Sequence, residues 1–231
     1  AYLKEALDSE NIQADNMYFI WYQFKRMMLK RIIVSDGETR VLQDEMYKRT
    51  YQFFVKNLEK YLAKMPLEER NKNLVMITAI QFLNETHAPT KTVLERAKAL
   101  KNLGKEVVII NTTEQYIIKG YVPMYSAGFG RTLEEYNNIN EIKLGEDRFP
   151  FFQMPENSPV EYRLQVLSEL VAKYKPYYIL SIGTGSILAD LCGNIVPCAS
   201  MALAFSTLPK TMNKMKILGR KLSEKEKENY A

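Results

Sequence analysis

One segment, residues 73–111, constrains the fold more than any other part of this 231-residue chain. An apolar run at 74–80 is followed by a polar loop at 84–88, an amphipathic stretch at 89–103 that begins with proline, a glycine, and a second apolar run at 107–110. Proline suits the first turn of a helix, and glycine suits the position just past its end. The order strand, helix, strand predicts a β-α-β crossover with two parallel strands in one sheet.

The polar loop of this unit holds His87, the single histidine of the chain. In open parallel sheets, ligands bind at the loops that follow the carboxyl ends of the strands, and imidazole titrates near neutral pH. His87 is therefore the predicted general base or orienting donor for a hydroxyl substrate, with Glu85 placed to orient or charge the ring. Thr90, Lys91 and the helix start favour an anionic group nearby. The alternative is a surface histidine with a local hydrogen bond.

A second loop of chemical interest is Gly183-Thr184-Gly185-Ser186, between a predicted strand and a predicted helix. Because the amides at a helix start favour phosphate, these residues are predicted to contact an anion or a sugar, with Thr184 and Ser186 as donors; a structural turn is the alternative. The dinucleotide fingerprint is incomplete, because Leu188 replaces its third glycine and no acidic residue follows to hold a ribose. Asp190, in the apolar helix after the loop, is a second site candidate or a carboxylate that bonds backbone amides or a lysine in the core.

Composition narrows the classes of ligand. The chain is 46% hydrophobic and 26% charged, which is ordinary for a soluble globular protein, and its formal net charge of +5 favours anionic partners. Two cysteines and one histidine supply few soft ligands, so we expect no metal; the cysteines are predicted to be buried, reduced thiols of a cytoplasmic protein. No nucleic-acid-binding module is recognisable, and we expect no nucleic-acid partner.

Residues 1–65 are predicted to form a helical arm. Its first helix carries an apolar stripe at helical spacing, made of Met17, Ile20, Trp21, Phe24 and Met28. A second helix is predicted from about residue 40 to residue 64. Residues 17–31 mix aromatic and basic side chains and would suit peripheral contact with an anionic membrane. The alternative is a helix that packs on the domain and exposes a solvated basic face.

Residues 66–222 are predicted to form an α/β domain, a Rossmann-like, mostly parallel sheet with flanking helices. Segments 139–144 and 148–153 could pair as an inserted β-hairpin. Residues 158–161 match a capping box at the start of a helix that runs to about residue 174. Residues 223–231 are predicted to begin a helix or linker to a second domain that this chain does not contain.

Several of these motifs occur together in a known order, over about residues 72–210. They are the loop His87-Ala88-Pro89-Thr90-Lys91, the helix segment 96–100, the transition 104–110, and the strand and loop 175–186. This order resembles the N-terminal, acceptor-side domain of two-domain GT-B glycosyltransferases. The family transfers a sugar from a nucleotide-sugar donor to a sugar, protein or lipid acceptor, and some inverting members use a histidine after the first strand as general base.

The resemblance assigns that role to His87 and implies no cofactor besides the donor substrate. It also implies that a C-terminal domain holds most of the donor nucleotide, so that this chain alone would not catalyse sugar transfer. The cleft would be lined by the His87 loop, by the loop at 183–186 and by the aromatic-rich excursion at 112–157. Two other functions stay open. One is a non-catalytic binding module that recruits a protein partner or an anionic membrane, and the other is a nucleotide-dependent oxidoreductase.

Overall fold

A computed structural model of the chain describes residues 2–9, 12–34, 36–114, 132–156, 158–204 and 208–228. In these ranges three helices precede an α/β region that begins with the predicted β-α-β unit. The helices are α1 (Tyr2–Asp8), α2 (Ala14–Leu29), α3 (Gly37–Asn57), α4 (Ala88–Asn102), α5 (Val160–Tyr174), α6 (Ile187–Cys192) and α7 (Glu224–Glu228). The strands are β1 (Asn71–Ala79), β2 (Glu106–Asn111), β3 (Glu141–Leu144), β4 (Asp147–Gln153), β5 (Pro176–Ile182), β6 (Cys198–Met201) and β7 (Met215–Ile217).

The strands form one sheet in the order β3-β4-β2-β1-β5-β6-β7. All neighbours are parallel except β3 and β4. β1 lies at the centre, with Val75 opposite Val107 on one side and Tyr178 on the other. The chain first builds the sheet outward through β2 and β4 and then returns to add β5 beside β1. The predicted Rossmann-like α/β fold is confirmed, and β1 and β5 form its switch point, where such sheets bind ligands.

The predicted hairpin is present, but it is part of the main sheet. β3 and β4 are antiparallel, with Ile142 opposite Phe149. The other edge of β4 pairs in parallel with β2, where Ile109 lies opposite Phe151. Because it pairs with β2, β4 is the third strand of the parallel sheet. Its residues Phe149 and Phe151 are both buried. Sequence periodicity detects the two strands but does not identify the second partner of β4.

The two faces of the sheet carry different helices. Side chains on one face of β1, such as Ile77, pack against α4. The opposite face, which includes Met76, packs against α5, α6 and the helices of residues 1–65. Trp21 is 1% exposed in this second core. The predicted helical arm is therefore a layer of the same folded unit, and its apolar stripe faces the sheet.

Two local predictions were wrong. The second helix ends at Asn57 and a short 3-10 turn follows it, so it is shorter than predicted. The capping box at 158–161 is absent: the Ser158 hydroxyl donates to the Pro155 carbonyl, and the Val160 amide donates to the Asp15 carboxylate at 2.9 Å. α2 thus caps α5 across the core, with an acceptor stronger than a hydroxyl.

Helix α2 also contacts the loop after β5. Gly185 has a φ of +74°, and a Cβ there would overlap the six-membered ring of Trp21. The other side of the indole packs against Tyr47, with ring centres 4.6 Å apart. Glycine is required at 185 both by its backbone conformation and by the close approach of α2.

Replacing Gly185 with alanine should therefore cost more stability than the same change at a glycine of like conformation. Gly104 is the matched control, because its φ is +76° and nothing lies within 4 Å of a Cβ there. We expect Gly104→Ala to lower the free energy of unfolding by about 1 kcal/mol. Gly185→Ala should cost a further ~1–3 kcal/mol from overpacking. Urea denaturation measures both, and equal losses would show that Trp21 does not press on the loop.

Candidate functional site

The loops after β1 and β5 leave the sheet side by side. Ala79 lies opposite Ile182 at the ends of these strands. One residue further on, a Cβ at Gly183 would approach the Ile80 side chain to 2.9 Å. The fold therefore brings the His87 loop and the 183–186 loop to the same edge of the sheet, at the switch point.

His87 lies immediately before α4 and is held by Thr90. Its Nδ1 is 3.0 Å from the Thr90 hydroxyl oxygen, which also accepts the Leu83 amide at 2.7 Å. The buried threonine thus fixes the imidazole to the backbone of its own loop. The ring is half-buried, and burial lowers the pKa of His87 below its ordinary value, which favours the neutral imidazole.

Two other residues predicted to act beside His87 have exposed side chains, namely Glu85 and Lys91. Among the described residues, no hydrogen bond joins Glu85 to the imidazole. Burial is the first cause that raises the pKa of the Tyr136 phenol, and the carboxylates of Glu135 and Glu85 raise it further. Thr90 takes the orienting position that the sequence argument assigned to Glu85.

Part of the aromatic excursion supports the His87 loop. Residues 115–131 lie outside the described ranges, but Tyr136 donates a hydrogen bond to the Leu83 carbonyl at 3.1 Å. Its ring also packs edge-on against Phe82 and Phe151, with centres 5.6 and 5.5 Å away. The two phenylalanines are buried, so these aromatic rings serve as core packing behind the loop.

A residue that the sequence argument missed, Glu114, occupies the start of α6. Its carboxylate is buried and accepts the Ser186 hydroxyl at 2.6 Å and the Leu188 amide at 3.1 Å. It also accepts the hydroxyls of Thr112 at 2.6 Å and Tyr18 at 3.0 Å. A protein carboxylate therefore lies where the sequence placed an anionic ligand, and it repels a second anion there.

The predicted donors of the 183–186 loop make internal contacts. Ser186 donates to Glu114 and caps α6 through the Ala189 amide. The Thr184 hydroxyl accepts the Lys210 amide at 2.7 Å, and the Gly185 amide donates to the Lys210 carbonyl at 2.8 Å. These bonds join the loop to the segment after β6. Ligand binding by Gly183, Thr184, Gly185 and Ser186 stays a prediction.

Helix α2 brings a lysine to the same loop. The half-buried Lys25 amine contacts the Thr184 carbonyl and lies 5.1 Å from the ring centre of Trp21 and 5.7 Å from that of Tyr22. Burial lowers its pKa to about 7, and Glu114 opposes that shift. The sequence signal was the spacing of Lys25 from two aromatic residues one turn earlier on the helix.

Asp190 bonds a backbone amide, as its alternative interpretation predicted, and its further donors are hydroxyl and amide side chains in place of the suggested lysine. Its carboxylate accepts the Tyr47 hydroxyl and the Met212 amide, each at 2.7 Å, and the Asn213 amide group at 2.9 Å. The Thr211 hydroxyl is a further donor. Asp190 thereby holds the segment before β7 against α6 and α3. Burial raises its pKa to about 6, although its hydrogen bonds oppose that shift.

Metal ligands do not cluster in the described ranges: no group of three or more His, Cys, Asp or Glu side chains there could hold a metal ion. Nor does any helix in those ranges combine the length and apolar character needed to cross a bilayer. Comparison with protein-family models, with curated proteins and with solved structures finds no match to this chain. Functional inference therefore depends on the geometry of the residues themselves.

Glu114→Gln should destabilise the protein although the side chains have nearly the same shape. Each carboxylate oxygen accepts two hydrogen bonds, so an amide group would place donors against donors. We expect a loss of about 2–4 kcal/mol in the free energy of unfolding. The control is Glu95→Gln, an exposed residue of α4, which should change it by no more than about 0.5 kcal/mol. A loss of stability in Glu114→Gln as small as that in Glu95→Gln would contradict a capping role for Glu114.

Asp190 should also make stability depend on pH. Its raised native pKa means that the folded protein holds the proton more tightly than the unfolded chain, so ionisation destabilises the fold. The difference in unfolding free energy between the wild type and Asp190→Asn should therefore fall as pH rises from about 4 to about 6, by up to about 3 kcal/mol. Chemical denaturation at several pH values measures this difference, and a constant difference would contradict the raised pKa.

Proposed function

We propose that this chain is the acceptor-side domain of a GT-B glycosyltransferase and that His87 is its general base. The carrying observation is the position of the imidazole, fixed by Thr90, on the loop after the central strand at the switch point. A neutral imidazole can accept a proton, and geometry at a switch point gives it access to a ligand. The resemblance of the motif order to the GT-B N-terminal domain supports the same role.

The hydrogen bond to Thr90 fits this role in one tautomer. When Nδ1 carries the proton, it donates to the Thr90 hydroxyl oxygen, and Nε2 keeps a free lone pair. Nε2 then takes the proton of an acceptor hydroxyl as its oxygen bonds to the anomeric carbon of the donor sugar. The bond from that carbon to the nucleoside diphosphate breaks, and the leaving group keeps the electron pair. Thr90 holds the ring in the orientation that this transfer requires.

The position of Glu114 supports a donor site and an acceptor site on two different domains. A nucleotide-sugar donor carries a charged diphosphate, and at the start of α6, the helix after β5, the Leu188 amide already binds a carboxylate. The donor phosphates are then better held outside this chain, which leaves the edge beside His87 for the acceptor. The same contact disfavours the oxidoreductase, because a dinucleotide needs that helix start for its pyrophosphate.

Donor turnover tests the proposal in the protein expressed from its complete gene. UDP-glucose, UDP-N-acetylglucosamine and GDP-mannose are offered in turn, and release of the nucleoside diphosphate is followed, with water in place of the acceptor. His87→Ala should lower kcat by about 10²–10⁴-fold, which is the usual contribution of a general base. Thr90→Val should lower kcat less and alter its pH profile, because the ring loses its partner.

The control for these variants is Glu95→Gln, on the exposed face of the helix that follows His87. It should turn over at the wild-type rate. Full activity of a folded His87→Ala variant would remove the base assignment. Absence of both binding and turnover with every donor would favour a non-catalytic binding module.

A further inference from the structure

The turn between α2 and α3 exposes aliphatic side chains next to basic ones. Leu29 is 67% exposed, Ile32 53% and Val34 83%, and Lys30 and Arg31 lie between them and are also exposed. Helices α2 and α3 form a helical hairpin, and we call residues 29–34, which connect them, the hairpin tip. This surface is distinct from the apolar stripe of α2, since Trp21 and its neighbours on the stripe lie in the core.

The backbone of the hairpin tip is fixed by a helix C-cap. The Ile32 amide donates to the Met27 carbonyl at 2.9 Å and the Arg31 amide to the Met28 carbonyl at 3.0 Å, the bonding pattern of a Schellman motif. In that motif the residue at the position of Ile32 usually packs against the last turn of the helix. Here Ile32 remains half-exposed. The exposed side chains therefore project from a turn that is already ordered, which lowers the entropy cost of binding.

Arg31 occupies the left-handed position of the motif, where glycine is usual. Its φ is +57°, a conformation that costs a side-chain-bearing residue free energy. Backbone strain of this kind persists at sites where the side chain has a role. Here it places a guanidinium between two exposed aliphatic residues.

The charge around the hairpin tip identifies the chemistry of its partner. Residues 26–40 contain four basic and two acidic side chains. One of the acidic residues, Asp36, accepts the Thr39 amide and caps α3. A partner must therefore offer an apolar layer beneath a negatively charged surface, which describes a bilayer with anionic headgroups.

We propose that the hairpin tip docks this protein on anionic membranes. The aliphatic side chains enter the boundary between headgroups and acyl chains, while Lys30 and Arg31 stay at the level of the lipid phosphates. This proposal is independent of the transferase assignment, because it concerns binding and requires no turnover.

Vesicle flotation tests the proposal with phosphatidylcholine vesicles and with phosphatidylcholine–phosphatidylglycerol vesicles. The wild-type chain should float only with the anionic vesicles, and less so in high salt. Removing an inserted aliphatic side chain weakens partitioning by about tenfold, so Ile32→Ser/Val34→Ser should lose most of the binding. The matched control is Leu103→Ser, since Leu103 is 76% exposed at the end of α4, and it should bind as the wild type does.

The Arg31→Gly variant tests membrane binding without a loss of protein stability. Glycine relieves the left-handed strain, so the variant should be at least as stable to heat as the wild type. The loss of one basic group should nevertheless weaken binding to anionic vesicles by about fivefold. Undiminished flotation of both hairpin-tip variants, or equal flotation with neutral vesicles, would overturn the proposal. So would a wild-type dimer that the hairpin-tip variants convert to monomer in the absence of vesicle binding.

Discussion

The buried carboxylate of Glu114 is the interaction on which most of this architecture depends. It lies just after β2 and joins Tyr18 of α2 to the Ser186 cap and the Leu188 amide of α6. A buried carboxylate is tolerated only when its oxygens are fully hydrogen-bonded. The positions of α2, α6 and the end of β2 are therefore coupled, since moving any one of them leaves a charge without its donors.

Two further carboxylates join the N-terminal helices to the α/β layers in the same way. Asp15 of α2 accepts the first amide of α5, and Asp190 of α6 accepts the Tyr47 hydroxyl of α3. Both bonds are made to carboxylates, and the one to Asp190 is buried while the one to Asp15 is half-buried, so they are directional as well as strong. They explain why residues 1–65 form a layer of the core, and why the exposed apolar residues of α2 are confined to its far end. The sheet edge beside His87 is shaped by the same contacts, which bring α2 over the loop after β5.

Much of the fold was predictable because its signals are local. The proline and glycine around α4, the apolar runs of β1, β2 and β5, and the turn between β3 and β4 each reflect backbone preferences of a few residues. The capping box failed because a distant carboxylate competed with Ser158 for the helix start. Spacing along the loop also did not show that Thr90 is the residue bonded to the imidazole. Thr90 reaches the ring because His87 is the N-cap of α4 and Thr90 lies three residues later, in its first turn.

The sequence by itself determined the parallel β-α-β core, the position of His87 after its central strand, and the presence of a polar loop after β5. Those features follow from periodicity and from conformational limits on proline and glycine, which act over short stretches of chain. Only the tertiary structure decided what surrounds them: Glu114 at the start of α6, Trp21 over Gly185, and the exposed turn at residues 29–34. These contacts join residues separated by up to about 170 positions, and long-range pairing depends on how whole layers pack, which no local pattern encodes.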